Sequence, residues 1–436
     1  MGYERGRQQD RTSTTGGTAE HVISVQQRYP LCRVERVHAR PLVPAFVTAI
    51  VVAVWLSASA SLDAYSVLAH ESAIDAAWDR ELRPLLLQRF PGTTPEALEH
   101  ARSFAYGGSV IQDLGYYPFG NKFFSNLLHY ARTGDFVTAL LRNAQTVDEF
   151  AFALGALAHY ANDITGHPQA VNLSVPRTFP KLQRKFGDTI TYVEAPKQHV
   201  IVEFSFDVAQ AARGRYNFTQ YRSLLDFQVA TALLERTFSD TYGLEMSDLF
   251  DEKRAISTYR YSVSQLIPAL TAAAARDTKD MEVFAFRPVD YEEIYGRDYQ
   301  KPARMARVLA FVYRFVPKVG PLKPLAFKAP TPDVDRLFQD SMAQAHLRFS
   351  AFVRDLRAGA LDLPNVNFDT GHPAQAGEYA LADKTHAEWL EALAKHDFDR
   401  ASPPVRVALE AFYRGERGGR QRRALPAPVS FPSRAR

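Results

Sequence analysis

From Leu157 to Pro168 the chain reads Leu-Ala-His-Tyr-Ala-Asn-Asp-Ile-Thr-Gly-His-Pro. His159 and Asp163 are four residues apart, and His167 is four further on. Residues i and i+4 share one face of a helix, so one turn aims an imidazole and a carboxylate at a common point. The apolar run Phe150–Leu157 precedes them, and Thr146 with Glu149 supplies a capping box to start the helix. Gly166 and Pro168 form a breaker pair, which predicts that the helix ends at the third ligand-type residue. This stretch predicts a helical fold with a metal-binding face, and the other motifs are read for what completes that face.

Cys32 is the one cysteine in 436 residues. That excludes a disulfide framework and a cysteine-based zinc site, so a metal must sit on His, Asp and Glu. Hydrophobic residues make up 46% of the chain, enough for a sizeable core. The net charge of +4 gives no argument for nucleic acid.

The N-terminus reads as a targeting segment. Met1–Arg40 is polar and basic, Leu42–Leu56 is apolar and uncharged, and Ser57-Ala58-Ser59-Ala60 follows. That is the layout of a secretory signal, implying a secreted or periplasmic protein. An uncleaved membrane anchor reaching Leu62 is the alternative. Residues 1–64 are therefore set apart from the fold.

Beyond them the reading is all-α. Helical spacing covers Tyr65–Arg89, and Thr94-Pro95-Glu96 opens a helix expected to reach Leu114 with Asp113 at its end. Gly115–Gly120 is an aromatic loop, and Asn121–Arg132 a short helix carrying His129, stopped by Thr133-Gly134. Pro168–Gly187, with Pro176 and Pro180, reads as a loop. Pro196 opens a helix holding His199 and Glu203, again i and i+4. Helical patterns continue at Tyr221–Leu244, Tyr259–Arg276, Tyr291–Tyr295, Asp333–Ala358, Asp383–Ala394 and Pro403–Tyr413. Residues 251–413 form a helical C-terminal region, and 414–436 a basic tail expected to be disordered.

His70, Asp113, His129, His159, Asp163, His167, His199 and Glu203 are then the candidate ligands, spread over 134 residues. Imidazole and carboxylate donors suit zinc, and at about four ligands per ion eight of them imply two or three ions. Such a cluster activates a water and clamps phosphoryl oxygens. His100, His346, His386 and His396 read as surface or polar-face residues and are left outside.

These residues carry a resemblance. Tyr65–His70, Gln112–Pro118, Leu128-His129-Tyr130, Leu157–Pro168 and His199-x-x-x-Glu203 resemble the zinc-dependent phospholipase C family, with its phospholipase C/D-like relatives and the related single-strand zinc nucleases. The resemblance spans roughly residues 65 to 250 and implies that family's multi-helix domain, followed here by a helical extension. It further implies that Asp113, His129, His159 and Asp163 hold one zinc, with Asp163 bridging to another. His167, His199 and Glu203 would hold a second ion. His70 would hold a third with the amine and carbonyl of a mature N-terminus at Tyr65, which needs cleavage after Ala64 rather than Ala60. Asp113 would also help deprotonate the attacking water. The spacing of four from Asp163 to His167 is closer to the phospholipase C/D-type members than to the secreted phospholipases.

The expected activity is metal-assisted hydrolysis of a phosphate ester, most simply release of a phospholipid head group. Tyr116, Tyr117 and Phe119 are expected to line the mouth for substrate. Lys301–Pro330 holds seven Lys or Arg and no acid among apolar residues. It is read as a helix packing its apolar face on the domain or as a contact with an anionic membrane surface. A single-strand zinc nuclease or phosphatase, with nucleic acid as substrate, is the enzymatic alternative. A secreted zinc-binding interaction protein is the non-enzymatic one. The sequence leaves the oligomeric state open. Asp369-Thr370-Gly371 reads as a turn.

Overall fold

Helix α6, Val147–Gly166, is the axis of the fold. Every side chain from Phe150 to Gly166 is buried, so the helix is enclosed on all sides, as its apolar run demands. Thr146 caps it by accepting from the Glu149 N–H at 3.2 Å, and Glu149 in return accepts from the Gln145 N–H at 2.8 Å. The computed structural model describes residues 67–213, 227–276, 311 and 325–415. The readings of the leader, Tyr65, Tyr291–Tyr295, most of Lys301–Pro330 and the tail beyond 415 lie outside these residues.

Before α6 come α1 (Val67–Ala77), a π-turn over Trp78–Leu82, α2 (Arg83–Arg89) and α3 (Pro95–Gly108). A 3-10 segment at Ile111–Tyr116, α4 (Lys122–Tyr130) and α5 (Thr133–Asn143) follow. After α6 come a π-turn over His167–Val171, α7 (Asn172–Thr178), α8 (Pro180–Phe186) and α9 (Pro196–Ala212). Further along the described residues come α10 (Thr231–Tyr242), a 3-10 turn at Met246–Asp248, α11 (Glu252–Tyr261), a π-turn over Ser262–Leu266, α12 (Ile267–Arg276), α13 (Pro332–Arg357), α14 (Ala380–Ala394) and α15 (Pro403–Arg414). The described residues hold no β-strand, only an isolated bridge between Val366 and Pro373, so the fold is all-α. No described helix is long and apolar enough to cross a membrane.

Two glycines set how closely α3 lies on α6. A Cβ at Gly155 would come 2.1 Å from the Ala105 carbonyl oxygen, and one at Gly108 would come 1.9 Å from that of Phe152. Only glycine at both positions lets the two backbones touch. The contact brings the C-terminal end of α3, and Ser109 beyond it, against the middle of α6. The C-terminal region packs on the same axis. Tyr160 donates to the Pro364 carbonyl at 2.6 Å, and Arg348 of α13 donates to the Ile164 carbonyl at 3.3 Å.

Four expectations are corrected. Pro168–Gly187 is mostly helical, because its prolines occupy tolerated positions. Pro180 opens α8, where no N–H is needed, Pro176 falls in the last turn of α7, and Pro168 stands at the head of a π-turn, where the Ile164 carbonyl accepts from Arg348 instead. The chain therefore does not stop at His167 but widens there into a π-turn closed by the Asn172 N–H on the His167 carbonyl. Finally, α3 ends at Gly108 rather than Leu114, so Asp113 rides on the 3-10 segment. Thr133-Gly134, expected as a stop, instead opens α5.

Candidate metal centre

All eight sequence-predicted ligands are buried, and all converge on Asp163 or its neighbours. Asp163 Oδ2 lies 3.0 Å from His159 Nε2 and 3.5 Å from His129 Nε2. Its Oδ1 faces the other way, 3.3 Å from His70 Nε2 and 3.8 Å from His167 Nε2. Asp113 meets His129 Nε2 at 3.2 Å. Glu203 lies 3.1 Å from His199 and 3.8 Å from His167. The His70 ring stacks on that of His159 with centroids 4.3 Å apart.

Each helix delivers its ligands for a local reason. The α6 register puts His159, Asp163 and then His167 on one face, with the His167 N–H still closing on the Asp163 carbonyl, and the π-turn carries the chain on past Pro168. In α9 the same i,i+4 spacing pairs His199 with Glu203. His129 sits in the last turn of α4, and His70 in the first turns of α1.

The ring nitrogens facing away from the centre fix what the inner ones present. His129 Nδ1 donates to the Ser125 carbonyl at 2.8 Å, and His159 Nδ1 donates to the Ser109 carbonyl at 3.0 Å. A carbonyl can only accept, so each Nδ1 carries the hydrogen and each Nε2 can offer its lone pair inward. The Nε2 atoms of His129, His159 and His167 and both oxygens of Asp163 meet no hydrogen-bond partner among the described residues. Buried polar atoms left in that condition are costly unless something else satisfies them.

Burial and charge act on the same groups. Burial depresses the His129 imidazole, but Asp113 and Asp163 override it and raise its pKa to about 10. His167 is likewise depressed by burial yet lifted to about 9 by Asp163, Asp369 and Glu203. Burial and then His167 push His199 down to about 3. Burial raises Asp163, yet the surrounding histidines hold it well below the usual carboxylate range. A metal ion at this centre would compete with protons for the inward-facing imidazole nitrogens.

Three groups place one donor atom per residue within 4.8 Å of one another: His70 with Asp113 and His159; His129 with His159 and Asp163; His167 with His199 and Asp369. The donors are all nitrogen and oxygen, matching zinc's preference for imidazole and carboxylate in a cysteine-free site. Asp369, read from the sequence as a turn residue, is the member that sequence reasoning missed. It does sit in a turn, 202 residues after His167, with its carboxylate 2.7 Å from His167 Nδ1.

The three aromatic residues expected at the mouth separate. Tyr116 stays by the centre, with its ring 5.7 Å from that of His129 and its hydroxyl donating to Asn126. Tyr117 is instead a core residue, packed edge-on against Tyr259 at 5.2 Å. Phe119 lies on the surface at 42% exposure, under the Arg254 guanidinium at 3.6 Å. His386 also departs from expectation, being buried and stacked on Phe412.

Residues 69–252 match the family model described as zinc dependent phospholipase C. Searches of the curated proteins and of the solved structures found no match. The matched stretch includes His70 and ends past Glu203, so every predicted ligand on a described residue falls inside it. That match, laid over a buried His/Asp/Glu centre suited to zinc, makes residues 69–252 similar to the zinc-dependent phospholipase C family and supports a zinc-dependent phosphodiester hydrolase in general.

Proposed function

We propose that the chain is a phospholipase C-type enzyme that hydrolyses the phosphodiester between a glycerolipid and its head group. The observation that carries the reading is the split of Asp163, whose two oxygens face different sets of imidazoles. A carboxylate so placed suits a bridge between two ions. Asp163, His159, His129 and Asp113 would hold one ion, and His167, His199 and Glu203 another. His70 would serve a further ion together with a mature N-terminus at Tyr65. Bound zinc supplies a polarised phosphoryl group and a water of lowered pKa.

The chain's own residues do the rest. Asp113, 4% exposed at the rim of the cluster, accepts the proton that the attacking water gives up. The Ser125 and Ser109 carbonyls hold His129 and His159 in the ligating tautomer. Tyr116 covers the His129 side of the centre. Residues 1–64 act as an export segment, and N-terminal sequencing of the secreted protein tests it: a start at Tyr65 supports the His70 site, and any other start removes it.

The test of substrate is parallel hydrolysis of p-nitrophenyl phosphocholine, bis-p-nitrophenyl phosphate and single-stranded DNA, each with and without a chelator. Chelator-sensitive release from the phosphocholine ester supports the reading. Cleavage of DNA alone replaces it with a nuclease, and bound zinc without turnover replaces it with a zinc-binding interaction protein.

A further inference from the structure

Among the described residues, the turn around Asp369 is where the C-terminal region reaches into the metal centre. This turn lies more than a hundred residues beyond the family match at 69–252. It is fixed from several sides. The Phe368 N–H donates to the His129 carbonyl at 3.1 Å, and the Phe368 ring packs edge-on against His129 at 5.0 Å. Asn172, at the start of α7, donates to the Asp369 carbonyl at 2.6 Å, and the Asp369 N–H donates to Asn367 Oδ1 at 2.9 Å. The backbone on both sides of Asp369 is thus tied to the helices that carry His129 and follow His167.

The side chain is just as constrained. Asp369 is 1% exposed. Its Oδ2 accepts from the Tyr130 hydroxyl at 3.0 Å and the Tyr379 hydroxyl at 2.5 Å. Its Oδ1 is left for His167 Nδ1 at 2.7 Å. Tyr379 is itself held, accepting from the Val193 N–H at 3.2 Å. A carboxylate with this set of neighbours is an acceptor only, so His167 Nδ1 carries the hydrogen and Nε2 turns its lone pair toward Asp163 and Glu203.

Asp369 also lies near enough to His167 and His199 to be considered as a ligand. The geometry argues otherwise. An ion between Nδ1 and Oδ1 at about 2.0 Å from each, in a tetrahedral site, would hold them roughly 3.3 Å apart. The observed 2.7 Å is the length of a charge-assisted hydrogen bond. His129 and His159 are oriented by backbone carbonyls within the matched segment. His167 is oriented by a carboxylate from outside it.

We propose that Asp369 is a positioning residue that locks His167 in the ligating tautomer, making the C-terminal region part of the metal centre. This rests on the reading of the site as a zinc centre. A carboxylate behind a ligating histidine also raises its basicity, and losing such a partner costs about 10- to 100-fold in metal affinity.

The test is zinc affinity by chelator competition, with zinc content by mass spectrometry, on full-length wild type, Asp369→Asn and Asp369→Ala. Melting of each metal-free protein checks the fold. Asp369→Asn keeps the shape and one acceptor oxygen, so it decides the matter if Asp369→Ala fails to fold. The expected result is an affinity about 10- to 100-fold lower for at least one ion in the Asn variant, with its metal-free melting close to wild type. Zinc affinity equal to wild type in a folded Asn variant overturns the role of Asp369 while leaving the zinc centre standing. Wild type that binds no zinc overturns both.

Discussion

Asp163 and His159 stand one helical turn apart on α6 and meet at 3.0 Å through Oδ2 and Nε2, leaving Asp163 Oδ1 to face His70 at 3.3 Å. No other carboxylate in the centre faces so many imidazoles.

Asp163→Asn should therefore do the widest damage. An amide nitrogen cannot ligate, so one side of the proposed bridge is lost whichever way the amide turns. Transition-state stabilisation by the metal is worth several kcal/mol, and each 1.36 kcal/mol is tenfold in rate. Hydrolysis should fall by about 100-fold or more, with reduced zinc content and a retained helical circular dichroism spectrum. A metal-replete variant of near wild-type activity would remove Asp163 from its central place.

The closeness of α3 and α6 predicts a stability effect. Gly155→Ala must push a methyl against the Ala105 carbonyl, 2.1 Å from the ideal Cβ position. Overpacking of this kind costs about 1–3 kcal/mol, and each kcal/mol lowers the melting temperature of a large domain by about 2–4 °C. His159 should suffer too, since its Ser109 partner lies just past α3. Differential scanning calorimetry of the variant checks this, and an unchanged melting temperature would contradict the tight crossing.

How far the sequence revealed this centre depends on where each residue sits. His159, Asp163, His199 and Glu203 were legible because helical periodicity turns spacing into direction. His70, Asp113 and His129 were legible as members of a pattern, although the element carrying Asp113 was misread. Asp369 was not legible. Asp-Thr-Gly does form a turn, and nothing local to a turn says that distant helices will fold around it. The helices across Pro168–Gly187 were hidden because prolines in first turns resemble breakers. His386 was hidden because its partner Phe412 lies on another helix.

His386 gives the pH prediction. Burial lowers its pKa to about 4, partly opposed by the Ala382 carbonyl that accepts from its Nδ1 at 2.9 Å. In the unfolded chain the group returns to about 6.5. Between those values the unfolded chain binds the extra proton, so this contribution to stability is complete above about pH 6.5 and falls as pH drops toward 4. The full difference is on the order of 3 kcal/mol. His386→Phe keeps a ring against Phe412 and removes the titration. Denaturant unfolding at pH 7 and pH 4.5, with chelator in every sample, should show a smaller loss for the variant. Equal losses would contradict the assignment.

Zinc should also hold the fold together, because its proposed ligands come from α1, the 3-10 segment, α4, α6, the following π-turn and α9. A ligand present at 100 times its dissociation constant stabilises the native state by about 2.7 kcal/mol. Melting with and without a chelator should differ by several degrees, and zinc added back should restore the higher value. Identical melting curves from protein of measured zinc content would contradict a centre that ties these elements.

The most direct measurement is hydrolysis followed while metal-free protein is titrated with zinc, using p-nitrophenyl phosphocholine as substrate. The centre described here predicts no turnover at the start, a rise as zinc binds, and a plateau once bound zinc saturates. Full zinc occupancy without turnover of any phosphodiester, or turnover that ignores zinc, would contradict it.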